Sequence, residues 1–347
     1  MKRLAVIGAG ISGLAAAYAL RDAPVAVTVF EKSRGVSGRA ATRRKQGFLY
    51  DHGANYIRPD TDRVRQLIAH ELPTEDLVDI GRPVWVFDGA GTIREGDPAA
   101  NAAPKWTYRS GISTLGKLLA RAADVDVHTQ VRVVRLEHNG RTWTVVDADG
   151  VRYHPFDAVL LTPPAPQTRE ILAAGWFDAG VQEAVVDGLA IASYSSQFAV
   201  MLAYDAVLPR PGPFYGLVNT DGEHAVGWLS FEDDKPGHVP PGHSLLVVQM
   251  APGWTLAHYD ASPATLAEAA HRAAGALLAV PLPEPIWTDR QRWRYALPTA
   301  PADVERLRAA EAIGLFFAGD ALVGRGRVAR ALETGLEAAA ALRSFLR

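Results

Sequence analysis

The 347-residue sequence contains no cysteine, which excludes disulfide bonds, thiolate metal sites and catalytic thiols. Its formal net charge of −2 lacks the basic excess that an electrostatic nucleic-acid partner requires. It also lacks the run of about twenty apolar residues that spans a bilayer. The ten histidines show no metal-ligand spacing. We therefore expect a cytoplasmic protein of two domains, without a metal ion, a membrane or a nucleic-acid polymer as partner.

What the sequence does contain is a glycine-rich turn near its start. The apolar run Leu4–Ile7 predicts a strand. Gly8 permits the turn that follows, Gly10 lets the backbone approach a pyrophosphate, and Gly13 lets a helix pack on the sheet. A second apolar run ends at Glu31, whose carboxylate suits the two hydroxyls of an adenosine ribose and repels a 2′-phosphate. The pattern therefore predicts binding of NAD or FAD.

A secretory signal peptide is the alternative for this stretch. Met1-Lys2-Arg3 precedes an apolar segment that contains Ala15-Ala16-Ala17, as in such peptides. We favour the nucleotide unit, because a signal peptide has no use for three glycines at this spacing. The strand predicted at Val25–Phe30 also lies where the nucleotide unit requires it.

The rest of the chain predicts a β-meander and a second sheet. Short alternating strands run from Val125 to Thr162, with hairpin turns at Asn139-Gly140 and Asp149-Gly150. The closing run Ala158–Thr162 is typical of a strand buried on both faces of a parallel sheet. Later elements are strands at Tyr194–Tyr204, Ala225–Phe231, Ser244–Met250 and Ile313–Ala318, and helices at Ser262–Ala279 and Val328–Leu346. We expect an α/β fold in which a Rossmann-like nucleotide domain with a β-meander is interleaved with a mostly antiparallel, α+β substrate domain.

The residues after Glu31 favour FAD over NAD. A nicotinamide dehydrogenase of this type continues into another crossover helix, whereas this chain continues through Ser37-Gly38-Arg39 and then Asp51–Tyr56. Glycine beside arginine suits a loop that lays backbone amides and a guanidinium along a pyrophosphate. Since the chain has no cysteine for a thioether link, we expect the FAD to be noncovalent.

This arrangement resembles the flavin amine oxidase superfamily, with its glutathione-reductase-type FAD fold, and within it the renalases. The likeness runs nearly end to end. It is carried by Gly38-Arg39, Asp51 with Gly53-Ala54-Asn55-Tyr56, Leu161-Thr162 with Pro164, Ser193-Tyr194-Ser195-Ser196, Trp228-Leu229-Ser230 leading to Lys235, Trp293-Arg294, and Gly319-Asp320. The chain departs from the superfamily in one place, because Ser37 replaces the first of two glycines that precede the arginine.

The resemblance implies which residues contact FAD. Asp320 meets the ribityl chain, and the closing helix begins beside Arg327, so that its N-terminus holds the N1–C2=O edge of the flavin. The expected contacts are Gly8, Gly10, Ser12, Gly13, Glu31, Lys32, Gly38, Arg39, Asn55, Tyr56, Val131, Gly319, Asp320, Arg327 and Val328. We assign residues 1–71, 105–165 and 289–347 to the FAD-binding domain, and residues 72–104 and 166–288 to the substrate domain.

The resemblance also implies a reaction. The 2- and 6-dihydro isomers of NAD(P) are oxidised to NAD(P)+, and O2 reoxidises the flavin and becomes hydrogen peroxide. Flavin N5 takes the hydride, so the reaction requires no protein acid or base and we assign no catalytic residue. The candidates for lining the substrate are the aromatic residues Tyr56, Trp228, Trp293 and Tyr295, although aromatic side chains also commonly fill cores.

Three other functions fit parts of the sequence. A flavin amine oxidase would place aromatic residues near the closing signature, but none occurs between Gly319 and Ser344. It would also use a lysine near the flavin, and Lys235, which precedes Pro236, is expected to be exposed in a turn. A carotenoid-type desaturase would need apolar membrane-associating surface. A module that binds FAD without turnover is the third alternative.

Overall fold

The computed structural model describes residues 1–347, with the exception of the side chain of His154. The strands are β1 (Lys2–Ile7), β2 (Val25–Glu31), β3 (Thr42–Lys45), β4 (Phe48–Asp51), β5 (Leu77–Asp79), β6 (Val84–Phe87), β7 (Ile93–Arg94), β8 (Trp106–Tyr108), β9 (Asp126–Thr129), β10 (Val133–His138), β11 (Trp143–Asp147), β12 (Arg152–Phe156), β13 (Ala158–Leu161), β14 (Ser193–Tyr204), β15 (Gly216–Asn219), β16 (Val226–Phe231), β17 (Ser244–Met250), β18 (Trp287–Ala300) and β19 (Leu315–Phe317). The helices are α1 (Ile11–Leu20), α2 (Asp62–Gln66), α3 (Pro98–Ala102), α4 (Thr114–Ala123), α5 (Ala165–Ala173), α6 (Ala179–Ala190), α7 (Pro252–Ala257), α8 (Pro263–Leu278), α9 (Val304–Arg308) and α10 (Val328–Phe345). No described helix has both the length and the apolar composition needed to cross a membrane.

The first layer of the fold is a parallel sheet in the order β19-β13-β1-β2-β9. Strand β1 pairs in parallel with β13 on one side and with β2 on the other. Helices α1, α4 and α10 share a hydrophobic core with one face of this sheet, and the meander strands with α5 and α6 share a core with the other face. Both faces are therefore covered, which explains the continuous apolar run of β13.

Close helix packing fixes α10 against α1. A side chain at Gly335 would overlap the carbonyl oxygen of Ser12. The absence of a Cβ there lets the two backbones approach, and this contact brings the C-terminal helix to the same edge of the sheet as the N-terminal glycine turn.

The predicted meander is present as an antiparallel sheet in the order β10-β11-β12. Gly140 and Gly150 lie in its two turns with φ of +89° and +81°, a backbone region that favours glycine. Asn139 closes the first turn, because its side-chain oxygen accepts from the backbone N–H of Arg141 at 3.0 Å.

The second layer is a larger sheet in the order β18-β14-β17-β16-β15-β6-β7. Its pairs are antiparallel except for β15 with β6. Alternate residues of β14 face two different cores. Phe198, Val200 and Leu202 share one core with α8, whereas Ala199, Met201 and Ala203 share the other with the β3–β4 hairpin. Together the two sheets confirm the predicted mixed α/β fold with a mostly antiparallel second sheet.

Strand β18 forms an edge of the large sheet and contains a bulge. Ser195 of β14 pairs with Leu297, but Gln197 pairs with Trp293, so β18 has two more residues than β14 over this step. The assigned domain boundary at residue 289 falls inside this strand, which pairs throughout with β14. The division of the chain into domains stays a prediction.

Candidate flavin and substrate site

The glycine turn after β1 has the geometry of a nucleotide cradle. Gly8 has a φ of +101°, and a Cβ there would lie 2.6 Å from Thr162 Oγ1. A Cβ at Gly13 would overlap the carbonyl oxygen of Gly8, whereas a Cβ at Gly10 would meet nothing within 4 Å. The first and third glycines are therefore required by packing. Gly10 borders open space, so a ligand can approach its backbone.

Glu31 lies beside this turn, at the end of β2. Its carboxylate is buried and accepts the backbone N–H of Ala9 at 2.9 Å and that of Ser33 at 2.7 Å. Each carboxylate oxygen has a second lone pair, so the side chain can still accept two ribose hydroxyls. The backbone N–H of Val131 donates to the Glu31 carbonyl at 2.9 Å, which puts Val131 next to it. The Lys32 ammonium instead donates to Gln167 Oε1 at 3.1 Å.

The loop of Ser37 and Gly38 packs on the glycine turn. The backbone N–H of Ser37 donates to the Ala9 carbonyl at 2.8 Å, and a Cβ at Gly38 would lie 3.2 Å from Gly10 Cα. Ser37 itself has a φ of +88°, although it is not glycine. The serine that replaces the family glycine thus keeps the glycine backbone geometry at a cost in strain.

Arg39 connects this loop to the closing signature. Its Nη2 donates to Asp320 Oδ1 at 2.7 Å, and its Nη1 donates to the carbonyls of Tyr295 and Ala296, each at 3.2 Å. These two carbonyls belong to the bulge of β18. Three of the five N–H donors of the guanidinium are used in this way, so two are left for a phosphate.

The closing signature is held in place from α10. Gly319 has a φ of +118°, and its backbone N–H donates to Thr334 Oγ1 at 2.9 Å. Ser12 Oγ lies 3.6 Å from the position of a Cβ at Gly319, so Ser12 of α1 adjoins this turn. Asp320 is buried and accepts from Arg39 and, at 3.4 Å, from the hydroxyl of Tyr194. The two predicted FAD signatures therefore meet.

The N-terminus of α10 lies near Tyr56. Val328 is the first residue of this 18-residue helix and Arg327 precedes it. Burial raises the pKa of Tyr56, and the positive charge of the nearby Arg327 opposes this increase. A helix N-terminus carries about half a positive charge, and Arg327 adds to it. The start of α10 accordingly offers positive potential beside Tyr56.

Two of the four candidate aromatic residues form a cluster with Tyr215. The rings of Tyr56 and Trp228 lie 6.2 Å apart, and the Tyr215 ring lies 6.1 Å from Trp228. The Tyr215 hydroxyl donates to the carbonyl of Asn55 at 3.3 Å. Asn55 Oδ1 and Trp228 Nε1 are buried and have no hydrogen-bond partner among the described residues. Buried polar atoms without partners are costly, so both atoms are available to form a hydrogen bond with a ligand.

The other two aromatic candidates lie on β18. Trp293 stacks on His52, with ring centroids 5.5 Å apart and an interplanar angle of 12°, and its indole N–H donates to the His52 carbonyl at 2.8 Å. Tyr295 lies after Trp293 in the bulge. Its ring centroid is 5.7 Å from that of Tyr194, and the two rings meet edge to face. The structure therefore places the four candidates in separate groups rather than in one cage.

One residue of each group, Trp228 in the first and Trp293 in the second, lies on the same face of the large sheet. Trp228 pairs with Gln249, Gln249 with Ala199, and Ala199 with Gln291. Directly paired residues project from the same face, and Trp293, two residues after Gln291, projects there too. The Gln249 side chain donates to the carbonyl of Gly53 at 2.8 Å, so this face covers the segment from His52 to Tyr56.

The expectation that Lys235 is exposed in a turn is wrong. Its ammonium is fully buried and contacts Asp51 Oδ2 at 2.8 Å and Glu232 Oε1 at 3.0 Å. Burial alone lowers the pKa of Lys235, but the charges of the two carboxylates outweigh it and raise that pKa. For Asp51, burial raises the pKa, but Lys235 and His238 outweigh that effect and hold it below its usual value. Lys235 and Asp51 are thus both charged.

His238 completes this buried cluster. Its Nδ1 lies 2.9 Å from Glu232 Oε1, and its Nε2 lies 2.9 Å from the carbonyl of Tyr108. Each ring nitrogen of His238 therefore lies within hydrogen-bond distance of a buried oxygen. Asp51, Glu232 and His238 also have the spacing of metal ligands, but the Lys235 ammonium lies between the two carboxylates as the cation.

Sequence reasoning missed three residues at this site. Tyr215, which links Asn55 to Trp228, belongs to no motif, and nothing local distinguishes it from a core tyrosine. Tyr194 was not among the candidate contacts, although it belongs to the Ser193–Ser196 motif, and its hydroxyl donates to Asp320 Oδ1 at 3.4 Å. His52 carried a signal through its position next to Asp51.

Two family models match the chain. A model for an NAD(P)-binding Rossmann-like domain matches residues 6–70, and a model for flavin-containing amine oxidoreductases matches residues 81–343. The second match covers well over half of the chain. Both matches agree with the sheet order and with the glycine turn described above.

Similar proteins span several oxidations. Protoporphyrinogen oxidase 2 of Arabidopsis thaliana is 43% identical over 67 residues, which are 19% of this chain and only 13% of that enzyme. A protein from Exiguobacterium sp. 255-15, provisionally assigned as a protoporphyrinogen oxidase, has a TM-score of 0.80 at 18% identity, and putrescine oxidase bound to putrescine has 0.76 at 16% identity; each match covers 99% of both chains. At these identities the two structures show a shared fold. The chain belongs to the flavin-containing amine oxidoreductases.

Proposed function

We propose that this protein is a renalase-like oxidase with noncovalent FAD, which oxidises the 2- and 6-dihydro isomers of NAD(P). The balanced reaction is dihydro-NAD(P) plus O2 plus H+ giving NAD(P)+ plus hydrogen peroxide. When bound, FAD supplies the acceptor for the hydride and then delivers the electrons to O2. The residues of this chain bind, orient and shield the reacting rings.

The residues present fit FAD on two independent observations. Gly10 borders open space beside the buried Glu31 carboxylate, as a pyrophosphate next to an adenosine ribose requires. Asn55 Oδ1 and Trp228 Nε1 are buried without partners among the described residues. Glu31, Arg39 and Asp320 would hold the cofactor along its length, and the N-terminus of α10 would meet the flavin ring.

The aromatic face of the sheet suits a flat, neutral substrate ring. Trp228 and Trp293 project from this face, and the segment from His52 to Tyr56 lies opposite. Aromatic walls exclude water and restrict a planar ring to few orientations. Fixing which ring carbon lies over the flavin selects among dihydro isomers, because a displacement of about an ångström can change the rate about a hundredfold.

The observation that carries the proposal over amine oxidation is the state of Lys235. Amine oxidation in this superfamily uses a lysine near the flavin, and Lys235 is the candidate in this sequence. Its ammonium is buried between Asp51 and Glu232 at 2.8 and 3.0 Å, so it is charged and held away from solvent. The same contacts occupy one oxygen of each carboxylate, and both carboxylates are buried away from an incoming amine.

The test is anaerobic stopped-flow reduction of the holoenzyme. We expect rapid bleaching of the flavin by 2- or 6-dihydroNAD(P), slow bleaching by ordinary 4-dihydro NADH, and none by monoamines or putrescine. Acid precipitation should leave all flavin in the supernatant. Rapid reduction by an amine, with none by any dihydronicotinamide isomer, would replace the proposal with an amine oxidase. Reduction by a carotenoid precursor would indicate a desaturase, and inertness to all of these would favour a module that only binds FAD.

A further inference from the structure

Gln249 is a polar side chain at a position where the large sheet otherwise buries apolar ones. It lies on β17, which pairs with β14 on one side and with β16 on the other. Val247 and Leu245, two and four residues earlier, project from the same face and are fully buried in an apolar core. Gln249 is itself only 9% exposed. Burying an amide costs free energy unless its groups form hydrogen bonds, so its partners decide what this residue does.

One end of the Gln249 amide is held and the other is free. Its Nε2 donates to the carbonyl of Gly53 at 2.8 Å. A carbonyl oxygen only accepts, so the atom that faces it is the amide nitrogen, and this contact fixes the orientation of the amide. The other atom, Oε1, accepts no hydrogen bond within the described part of the chain, and it is not fully enclosed by protein atoms. Gln249 therefore presents a positioned acceptor to a ligand.

This acceptor lies on the face of the sheet that the proposed function uses. Trp228 is the direct cross-strand partner of Gln249, and Trp293 projects from the same face two strands away on the other side. The Gln249 side chain spans from the sheet to Gly53, so its oxygen lies in the layer between the sheet and the segment that contains Gly53 and Asn55. A ring bound in this layer is within reach of the oxygen.

We propose that Gln249 determines substrate specificity, because its Oε1 accepts a hydrogen bond from the carboxamide N–H of the substrate ring. The inference rests on the proposed function. In a dihydronicotinamide dinucleotide N1 carries the ribose, so the carboxamide is the only group on the ring that donates a hydrogen bond.

This contact adds a selection that flat aromatic walls do not provide. Aromatic walls fix the plane of a ring but leave its rotation within that plane free. A hydrogen bond to the carboxamide restricts this rotation, and the rotation decides whether C2, C4 or C6 of the ring lies over the flavin. Gln249 would therefore favour particular dihydro isomers and would disfavour rings that have no carboxamide.

The experiment combines a change in the protein with a change in the substrate. The protein change is Gln249→Met, and the substrate change replaces the carboxamide by an acetyl group, which keeps the carbonyl but has no N–H. Gln249→Met should lower kcat/KM for the dihydro-NAD isomers about tenfold more than for their acetylpyridine analogues, the size of one hydrogen bond in a buried site. Comparing the two factors cancels the different intrinsic reactivities of the rings. A glutamine that only holds Gly53 lowers both values equally, and equal factors overturn the inference.

Gln291→Met is the matched control. Gln291 projects from the same face, two strands away from Gln249, but its Oε1 already accepts from Arg43 at 3.0 Å. This variant should keep the ratio of the two kcat/KM values that the wild type has.

Binding to the holoenzyme separates this inference from the proposed function. By calorimetry, the wild type should bind NAD+ about tenfold more tightly than the acetylpyridine analogue of NAD+, and Gln249→Met should remove this preference. The wild-type measurement alone tests the inference if the variant does not fold, because equal affinities overturn it. Rapid oxidation of the isomers with equal losses in Gln249→Met overturns the role of Gln249 and leaves the proposed function standing. A preference for NAD+ that depends on Gln249, without reduction of the flavin by any isomer, supports the contact and overturns the proposed function. Failure to bind either dinucleotide, together with no reduction, overturns both.

Discussion

Arg39 Nη2 and Asp320 Oδ1 form an ion pair at 2.7 Å although 281 residues separate them in the chain. Asp320 is almost fully buried, and Arg39 is partly exposed. One side chain of each predicted FAD signature is thus positioned by the other, and two N–H donors of Arg39 remain for the proposed pyrophosphate.

Arg39→Ala should therefore weaken FAD binding by about tenfold to a hundredfold, because it removes charge-assisted contacts to phosphate and leaves Asp320 without its cation. Titration of the apoprotein with FAD measures this change through the quenching of flavin fluorescence. Arg34→Ala, an exposed residue of the same loop, is the matched control. Unchanged affinity in a folded Arg39→Ala protein would show that the guanidinium does not contact the cofactor.

Trp293→Ala should slow reduction of the flavin by dihydro isomers about tenfold to a hundredfold while FAD affinity changes less, since the ring would position the substrate rather than the cofactor. Trp293→Phe keeps a ring against His52 but loses the indole hydrogen bond, and an intermediate rate is expected. Stopped-flow reduction gives the rates. Exposed Trp176→Ala is the control, and equal losses of rate and FAD affinity would assign Trp293 to the core.

His52 should make the protein sensitive to mild acid. Burial, followed by the charge of Arg43, lowers the pKa of His52 to about 4. The unfolded chain has a histidine pKa of about 6.5, so it binds the proton first and folding stability falls as the pH falls from about 6.5 to 4.

His52→Phe should remove this part of the acid response. Between pH 7 and pH 5 the variant should lose about 2 kcal/mol less unfolding free energy than the wild type. Urea unfolding at the two pH values measures the difference. His70→Asn, at an exposed histidine, should behave as the wild type does. Identical pH responses of wild type and His52→Phe would mean that the pKa of His52 is the same in the folded and unfolded chains.

Lys235→Met should destabilise the fold by about 3–5 kcal/mol, because it leaves the side chains of Asp51 and Glu232 buried without the ammonium that contacts both. Urea unfolding at pH 7 is the measurement, and Lys117→Met on the exposed side of α4 is the control. A loss below about 1 kcal/mol, the range of surface ion pairs, would contradict the buried pairing.

Ser37→Gly should raise the unfolding free energy by about 1 kcal/mol, since glycine adopts the φ of +88° without strain and the buried hydroxyl has no partner among the described residues. Ser37→Ala separates the two causes, because it removes the hydroxyl but keeps the strained Cβ. Thermal unfolding of the three proteins is the comparison. A less stable glycine variant would show that the serine hydroxyl makes a contact that outweighs the strain.

The sequence predicted the elements whose cause is local. Gly8 and Gly13 are required by contacts that lie within one βα unit or on the adjacent strand, and Glu31 follows at a fixed spacing. The helix from Ser262 was predictable because the cap is a neighbour, and the serine hydroxyl accepts from the backbone N–H of Thr265 at 3.1 Å. The hairpin turns at Gly140 and Gly150 have the same local origin.

The rest depends on partners that are distant in the chain. Lys235 precedes a proline, a pattern that predicts exposure, and its carboxylate partner Asp51 lies 184 residues away. No periodicity signals such a pair. The grouping of the aromatic candidates could not be predicted either. The register of β16 with β17 pairs Trp228 with Gln249, and a bulge in β18 separates Trp293 from Tyr295. Neither the register nor the bulge is visible in the sequence.

Strand β18 has two structural roles, which are pairing with β14 and binding the Arg39 side chain through its bulge. Its main chain pairs along β14, and its extra residues present the carbonyls that hold Arg39. If this edge of the sheet opens, the Arg39 guanidinium loses two acceptors, and the nucleotide loop loses a support from the other half of the molecule. The two halves are thus expected to melt in one cooperative transition rather than independently, and loss of the cofactor is coupled to loosening of a sheet edge that forms no part of the Rossmann-like unit.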